Sequence, residues 1–173
     1  TCKEVNVMPK HMMHKTKLLV LYEYFQKHTD ELHPKGTRDI ISYLEGCSIP
    51  CERKAIYADI EALRSFGADI VMTKEGKRTV YFLASRTFET AELKMLVDIV
   101  GASRFITSKK SSALIRKIGT LCSENEAKSL SRQVIISGLV KTENERIFLN
   151  VDMIHASFRE WTRLSFRYFN YDY

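Results

Sequence analysis

The sequence predicts a mainly α-helical protein with a small β hairpin. Three observations predict it. Apolar residues recur at helical spacing through most of the chain, Gly67 stands just after the third of these stretches, and two β-prone runs then flank the basic segment Lys74-Glu75-Gly76-Lys77-Arg78. The 173 residues, 45% hydrophobic and 28% charged, suffice for one or two ordinary cores and do not have the composition of a disordered tail.

The elements follow in chain order. From Lys15 to His28, Leu18, Leu21, Tyr22 and Phe25 fall at i, i+3, i+4 and i+7 and share one face of a first helix. Proline and glycine in Leu32-His33-Pro34-Lys35-Gly36 break that pattern. Thr37 is then the expected cap of a second, short helix running through Leu44 with Ile40, Ile41 and Leu44. Gly46 is placed to end it and Pro50 to open the next. The third helix is expected from about Cys51 to Phe66. Ile56, Ile60 and Leu63 mark its inner face, and Arg53, Lys54, Tyr57 and Glu61 lie on others. Asp59 faces the apolar side, where a lone charge is costly, and is expected to be paired. Gly67 caps this helix, and strands Ile70–Thr73 and Thr79–Leu83 follow. Three helices with a tight turn before the last, closed by a basic two-stranded wing, is the order of a winged helix-turn-helix.

Beyond Arg86 the pattern is helical again. Leu93, Leu96, Val97 and Val100 predict a helix over 90–106, and Leu114, Ile118 and Leu121 one over 109–122, capped by Thr107 or Ser108. Ser123 and Glu126 have capping-box spacing and start a helix toward Arg132. Residues 141–146 read as a polar connection. Val151, Ile154 and Phe158 indicate a last helix, and residues 164–171 alternate like a strand.

No run reaches the roughly 20 apolar residues of a membrane span, and no signal peptide opens the chain, so a cytoplasmic protein without membrane contact is expected. The chain starts at Thr1 and stops within an aromatic run, and the functional unit is expected to be longer. A net charge of +6 favours an anionic partner. The excess is even: residues 1–86 hold 14 Lys+Arg against 11 Asp+Glu, and the remainder 13 against 10. Cys2, Cys47, Cys51 and Cys122 form no zinc or redox spacing and are expected to be thiols; no metal or cofactor is expected. The five histidines show no catalytic spacing, and no P-loop, dinucleotide turn or nucleophile elbow is present, so an enzyme is not expected.

Arg53-Lys-Ala-Ile-Tyr-Ala-Asp-Ile-Glu-Ala-Leu63 closely resembles the R-x-T-I-Y-R-D-I-x-x-L pattern of the DeoR-like winged helices in WYL-domain transcriptional regulators. The resemblance continues through Thr87–Leu93, similar to the entry of that family's central helical region. Residues 151–171 resemble the opening helix and first strand of a WYL domain. Ala55 and Ala58 replace the threonine and arginine frequent in the pattern, and the Trp-Tyr-Leu triplet itself would lie downstream of Tyr173.

The resemblance implies three parts. These are a winged helix-turn-helix over residues 14–86, a helical linker and dimerisation region over 87–150, and the start of an α/β, Sm-like WYL barrel over 151–173. The function expected is sequence-specific binding of double-stranded DNA by a homodimeric bacterial regulator. A nucleotide or nucleic-acid effector would be sensed by the WYL domain. Arg53, Lys54 and Tyr57 would enter the major groove, Lys74, Lys77 and Arg78 would lie on the backbone, and Arg38 would reach a phosphate near the start of the second helix. The alternative is a winged-helix protein-interaction module without DNA binding, since a fold alone does not establish function.

Overall fold

The computed structural model describes residues 10–133, 141–144 and 146–166, with side chains from Thr16 onward except 132, 133 and 148. It is mainly helical, with a small three-stranded antiparallel sheet.

Helix α1 spans Lys10–His28. Leu21 and Phe25, one turn apart, are fully buried, while Leu18 and Tyr22 are partly so. Tyr24 joins them, although its position is off the expected stripe, because Tyr43 of the next helix lies against its ring at 4.6 Å.

Helix α2 (Thr37–Gly46) buries Ile40 and Leu44. Its cap differs from expectation. Lys35–Gly36 form a short strand, β1, so the chain passes straight from sheet to helix and Gly36 takes the cap position. Thr37 becomes the first helical residue and is buried. The Asp39 carboxylate accepts the Gly36 N–H at 2.9 Å, satisfying a donor exposed at the helix start. Gly46 does not end the helix by itself either: Cys47 caps it, and Ser48 carries the left-handed conformation at φ 60°. Ile49, buried beyond that turn, holds it through its N–H bond to the Leu44 carbonyl at 2.9 Å.

Helix α3 (Arg53–Phe66) begins two residues later than the sequence suggested, after Glu52 in extended conformation. Ile56, Ile60 and Leu63 are buried as the periodicity requires. Gly67, at φ 108°, ends the helix in the left-handed region that glycine enters without a Cβ clash. Asp59 is paired: Lys17 of α1 places Nζ 2.7 Å from its carboxylate, with both side chains largely buried.

Strands β2 (Ile70–Glu75) and β3 (Arg78–Leu83) pair in register from Ile70↔Leu83 to Glu75↔Arg78, so only Gly76 and Lys77 form the turn. Gly76, at φ 61°, supplies the positive φ that such a turn demands. The sheet has one strand more than expected, because β1 adds to the free edge of β3 through Lys35↔Tyr81 and Gly36↔Val80. One core, including Leu21, Phe25, Ile40, Leu44, Ile56, Ile60, Tyr81 and Leu83, unites α1, α2, α3 and the sheet.

Next come α4 (Thr90–Ala102), α5 (Ser108–Ile118), a 3-10 turn (Gly119–Leu121) and α6 (Glu124–Gln133). Helix α4 stops four residues short of Ile106. Its closing carbonyls, Val100 and Ser103, take hydrogen bonds from Lys141 Nζ at 3.2 and 2.9 Å. Helix α5 is capped by Thr107, which accepts from the Lys110 N–H at 3.2 Å. Of the expected Leu114, Ile118 and Leu121, Ile118 packs partly buried against a second core and Leu114 is partly buried, but the buried positions of this helix are Ser111 and Ile115, and Leu121 lies in the 3-10 turn, 44% exposed. Buried Leu93, Cys122 and Leu130 form a second, smaller core.

The Ser123 capping box forms as its spacing predicts: Glu126 N–H donates to Ser123 Oγ at 3.2 Å, and Ser123 N–H to the Glu126 carboxylate at 3.0 Å. The same Ser123 hydroxyl donates to buried Asp30 at 2.6 Å, joining α6 to the end of α1. His33 Nδ1 lies 2.7 Å from that carboxylate and the Leu32 N–H 3.1 Å.

Helix α7 (Ile147–Glu160) has none of its described side chains in the buried class. Leu164–Phe166 do not form the expected strand, and the rest of that run lies outside the described residues. Cys51 and Cys122 are free thiols, whereas Cys47, expected as a thiol, is disulfide-bonded; Cys2 lies outside the described residues. Among the described residues, no helix is long and apolar enough to cross a membrane, and no group of three His, Cys, Asp or Glu could hold a metal ion.

Candidate nucleic-acid interface

Three local rules bring the basic residues together. The β1 strand delivers the first residues of α2 beside β3, so Arg38 is held next to the hairpin. Capping by Glu52 sets Arg53 as the first residue of α3. The tight Gly76–Lys77 turn sets Lys77 and Arg78 along the same groove as the starts of α2 and α3. The result is an open groove of about 440 Å³ whose walls include Arg38, Arg53, Lys77 and Arg78, with Thr37, Gly36 and Thr79 between them.

The groove holds four cations against two carboxylates, Asp39 and Glu75. Asp39 is engaged by the Gly36 N–H, and both helices present their amino termini here, where unpaired N–H groups carry partial positive charge. All four basic side chains are exposed. Such a surface attracts an anion with several spaced oxygens and offers it directional donors.

Arg53 is also fixed in place. Its Nε donates to the Tyr57 hydroxyl at 2.7 Å, and its guanidinium carbon lies 5.8 Å from the centre of that ring. Tyr57, 36% exposed, has its hydroxyl pKa lowered below the usual tyrosine value by the bond from Arg53 and by a second bond with Thr37.

Of the seven residues singled out from sequence, Arg38, Arg53, Lys77 and Arg78 line the groove, and Tyr57 touches it through Arg53. Lys54 and Lys74 are exposed but outside its walls. Thr37 was read only as a cap; its contact with Tyr57 follows from the crossing of α2 and α3 and has no signature in spacing. Arg64, at the far end of α3, is spent on structure, donating to the Ile70 carbonyl and the Glu61 carboxylate, each at 2.7 Å.

In comparisons with known proteins, no family model, no curated protein and no solved structure matched this chain.

Proposed function

We propose that this chain is a DNA-binding transcription regulator built on a winged helix-turn-helix over residues 14–86. Helix α3 is the recognition helix, with Arg53 and Lys54 at its leading end in the major groove. The β2–β3 hairpin is the wing, with Lys77 and Arg78 on the phosphate backbone and Lys74 beside them. Arg38 takes a phosphate at the start of α2. The protein works in the cytoplasm as a homodimer on paired half-sites, and the WYL-like segment from residue 151 belongs to a domain that senses a nucleotide or nucleic-acid effector. Its chemistry is binding, not catalysis.

The observation that carries this reading is the convergence of Arg38, Arg53, Lys77 and Arg78, from three elements distant in sequence, on one groove. Scattered surface cations that merely solubilise would have no reason to meet.

Fluorescence anisotropy with a random-sequence 20-base-pair duplex, titrated at several salt concentrations, tests it. Neutralising Lys77 and Arg78 together should weaken binding of all sequences and lower the slope of log affinity against log salt by about 1 per lost contact. Binding that ignores salt, or a slope unchanged in the double variant, would overturn the reading in favour of a protein-interaction module.

A further inference from the structure

Arginine carries five N–H donors in a planar fork, and its two terminal nitrogens match the O6 and N7 acceptors of guanine in the major groove. A free arginine side chain on a surface loses considerable rotamer freedom on making that contact. Arg53 has already lost part of it. Its Nε is occupied by the Tyr57 hydroxyl at 2.7 Å, and the Tyr57 ring lies beside its guanidinium. Using Nε internally leaves the two terminal nitrogens for an outside acceptor.

Tyr57 stands one turn after Arg53 on α3, and Thr37, a buried residue at the start of α2, lies near enough to its hydroxyl to lower the tyrosine pKa. The bond between Arg53 and Tyr57 thus ties the exposed end of α3 to a side chain one turn further along the helix, beside the start of α2. Lys54, the neighbouring cation, has no such support among the described residues.

We propose that Arg53 reads a guanine base in duplex DNA, and that Tyr57 is not a DNA contact but the positioning residue that fixes the Arg53 fork, with Thr37 behind it. This rests on the reading of α3 as a recognition helix. It assigns the substrate class at one position of the half-site, a G·C pair presented in the major groove. It also separates two cations adjacent in sequence: Arg53 discriminates between bases, while Lys54, a point charge, adds affinity of no fixed sequence.

The experiment is selection of bound duplexes by the full chain from a random 20-base-pair pool, followed by anisotropy on the selected duplex and on the same duplex with the guanine pair replaced. The wild-type motif should contain an invariant guanine in each half-site. Tyr57→Phe, which keeps the ring and removes only the hydroxyl, should lower the preference for guanine about five- to tenfold, a part of the range a bidentate contact spans. Arg53→Lys should abolish the preference, since an ammonium cannot bridge both acceptors. Thr37→Val, near in shape and without the hydroxyl, should act in the same direction as Tyr57→Phe, and wild-type melting curves should show that all three variants are folded.

A selected motif without an invariant guanine, or a guanine preference that Tyr57→Phe leaves unchanged, overturns this inference while leaving DNA binding in place. Failure of the wild-type chain to bind any duplex in a salt-dependent way overturns the proposed function and this inference with it.

Discussion

Helices α3 and α7 are each 14 residues long, and each carries apolar residues at helical spacing. In α3 that stripe is Ile56, Ile60 and Leu63, all buried against α1, α2 and the sheet. In α7, Val151, Ile154 and Phe158 remain 42%, 37% and 76% exposed. Periodicity is a local property that states which face of a helix needs cover; burial depends on what the rest of the chain brings there. The consequence reaches the site. Because the inner face of α3 is fully used, its outer face and leading end are rigidly presented, and Arg53 can be aimed. Nothing described in α7 is anchored in that way.

The sharpest test of this contrast is the one charge on α3 that points inward. Asp59 is 2.7 Å from Lys17 Nζ, and the two side chains are 16% and 8% exposed. Removing one member of a buried ion pair leaves the other charged and without a partner, at a cost of about 3–5 kcal/mol. Asp59→Ala should therefore lower stability in urea unfolding by that amount. Replacing both residues with apolar ones, Lys17→Met with Asp59→Leu, should restore it or better. A loss under about 1 kcal/mol in the single variant would mean that α3 is not seated on α1 as described.

A smaller effect is expected at the joint between the first core and α6. Asp30 is buried, which by itself raises the carboxyl pKa, but the bonds from Ser123 and His33 outweigh that and hold it below the usual aspartate value. A carboxyl whose pKa is lower in the folded state contributes stability above the unfolded value, and that contribution is lost as pH falls through the folded one. The joint should thus be firm at neutral pH and loosen only in acid below the ordinary carboxylate range. Ser123→Ala removes both the α6 cap and a donor to Asp30. It should cost about 0.5–2 kcal/mol at pH 7 and move the onset of acid unfolding to higher pH. An acid transition at the wild-type pH would show that Ser123 serves the cap alone.

These features differ in how far the sequence reveals them. The Ser123–Glu126 box and the Gly67 cap are legible because each is a rule about residues a few positions apart. The need of Asp59 for a partner was legible from its neighbours Ile56 and Leu63, but the identity of Lys17 was not, since it depends on how α1 crosses α3. Strand β1 is two residues long and exists only because β3 offers an open edge, so no pattern in Lys35–Gly36 announces it. At the site, the cations could be chosen by type and position. Which of them meet required the tertiary fold: Arg38, Arg53, Lys77 and Arg78 converge, and Lys54 and Lys74 do not. On α5, periodicity locates Ile118 against the second core but not Ser111, for a related reason. Ser111 is buried where its hydroxyl receives Lys141 Nζ at 2.9 Å, and a polar residue buried by such a contact is invisible to hydrophobic periodicity.

The smallest effect is predicted where α7 differs most from α3. Phe158 is the most exposed member of the Val151, Ile154 and Phe158 stripe, and an aromatic side chain in that setting contributes little to holding the fold. Phe158→Ser should leave the free energy of unfolding within about 0.5 kcal/mol of the parent in urea titrations. If instead the variant is clearly destabilised, the stripe is covered in solution, and the dependence on protein concentration identifies the cover. A destabilisation that grows as the wild-type protein is concentrated points to a second copy, because association stabilises only the folded form and does so by mass action. One that is constant over a hundredfold dilution places the cover within the chain itself. Either result would remove the difference between α3 and α7, whereas an unaltered midpoint keeps α7 as a helix whose apolar face contributes nothing to the stability of the folded chain.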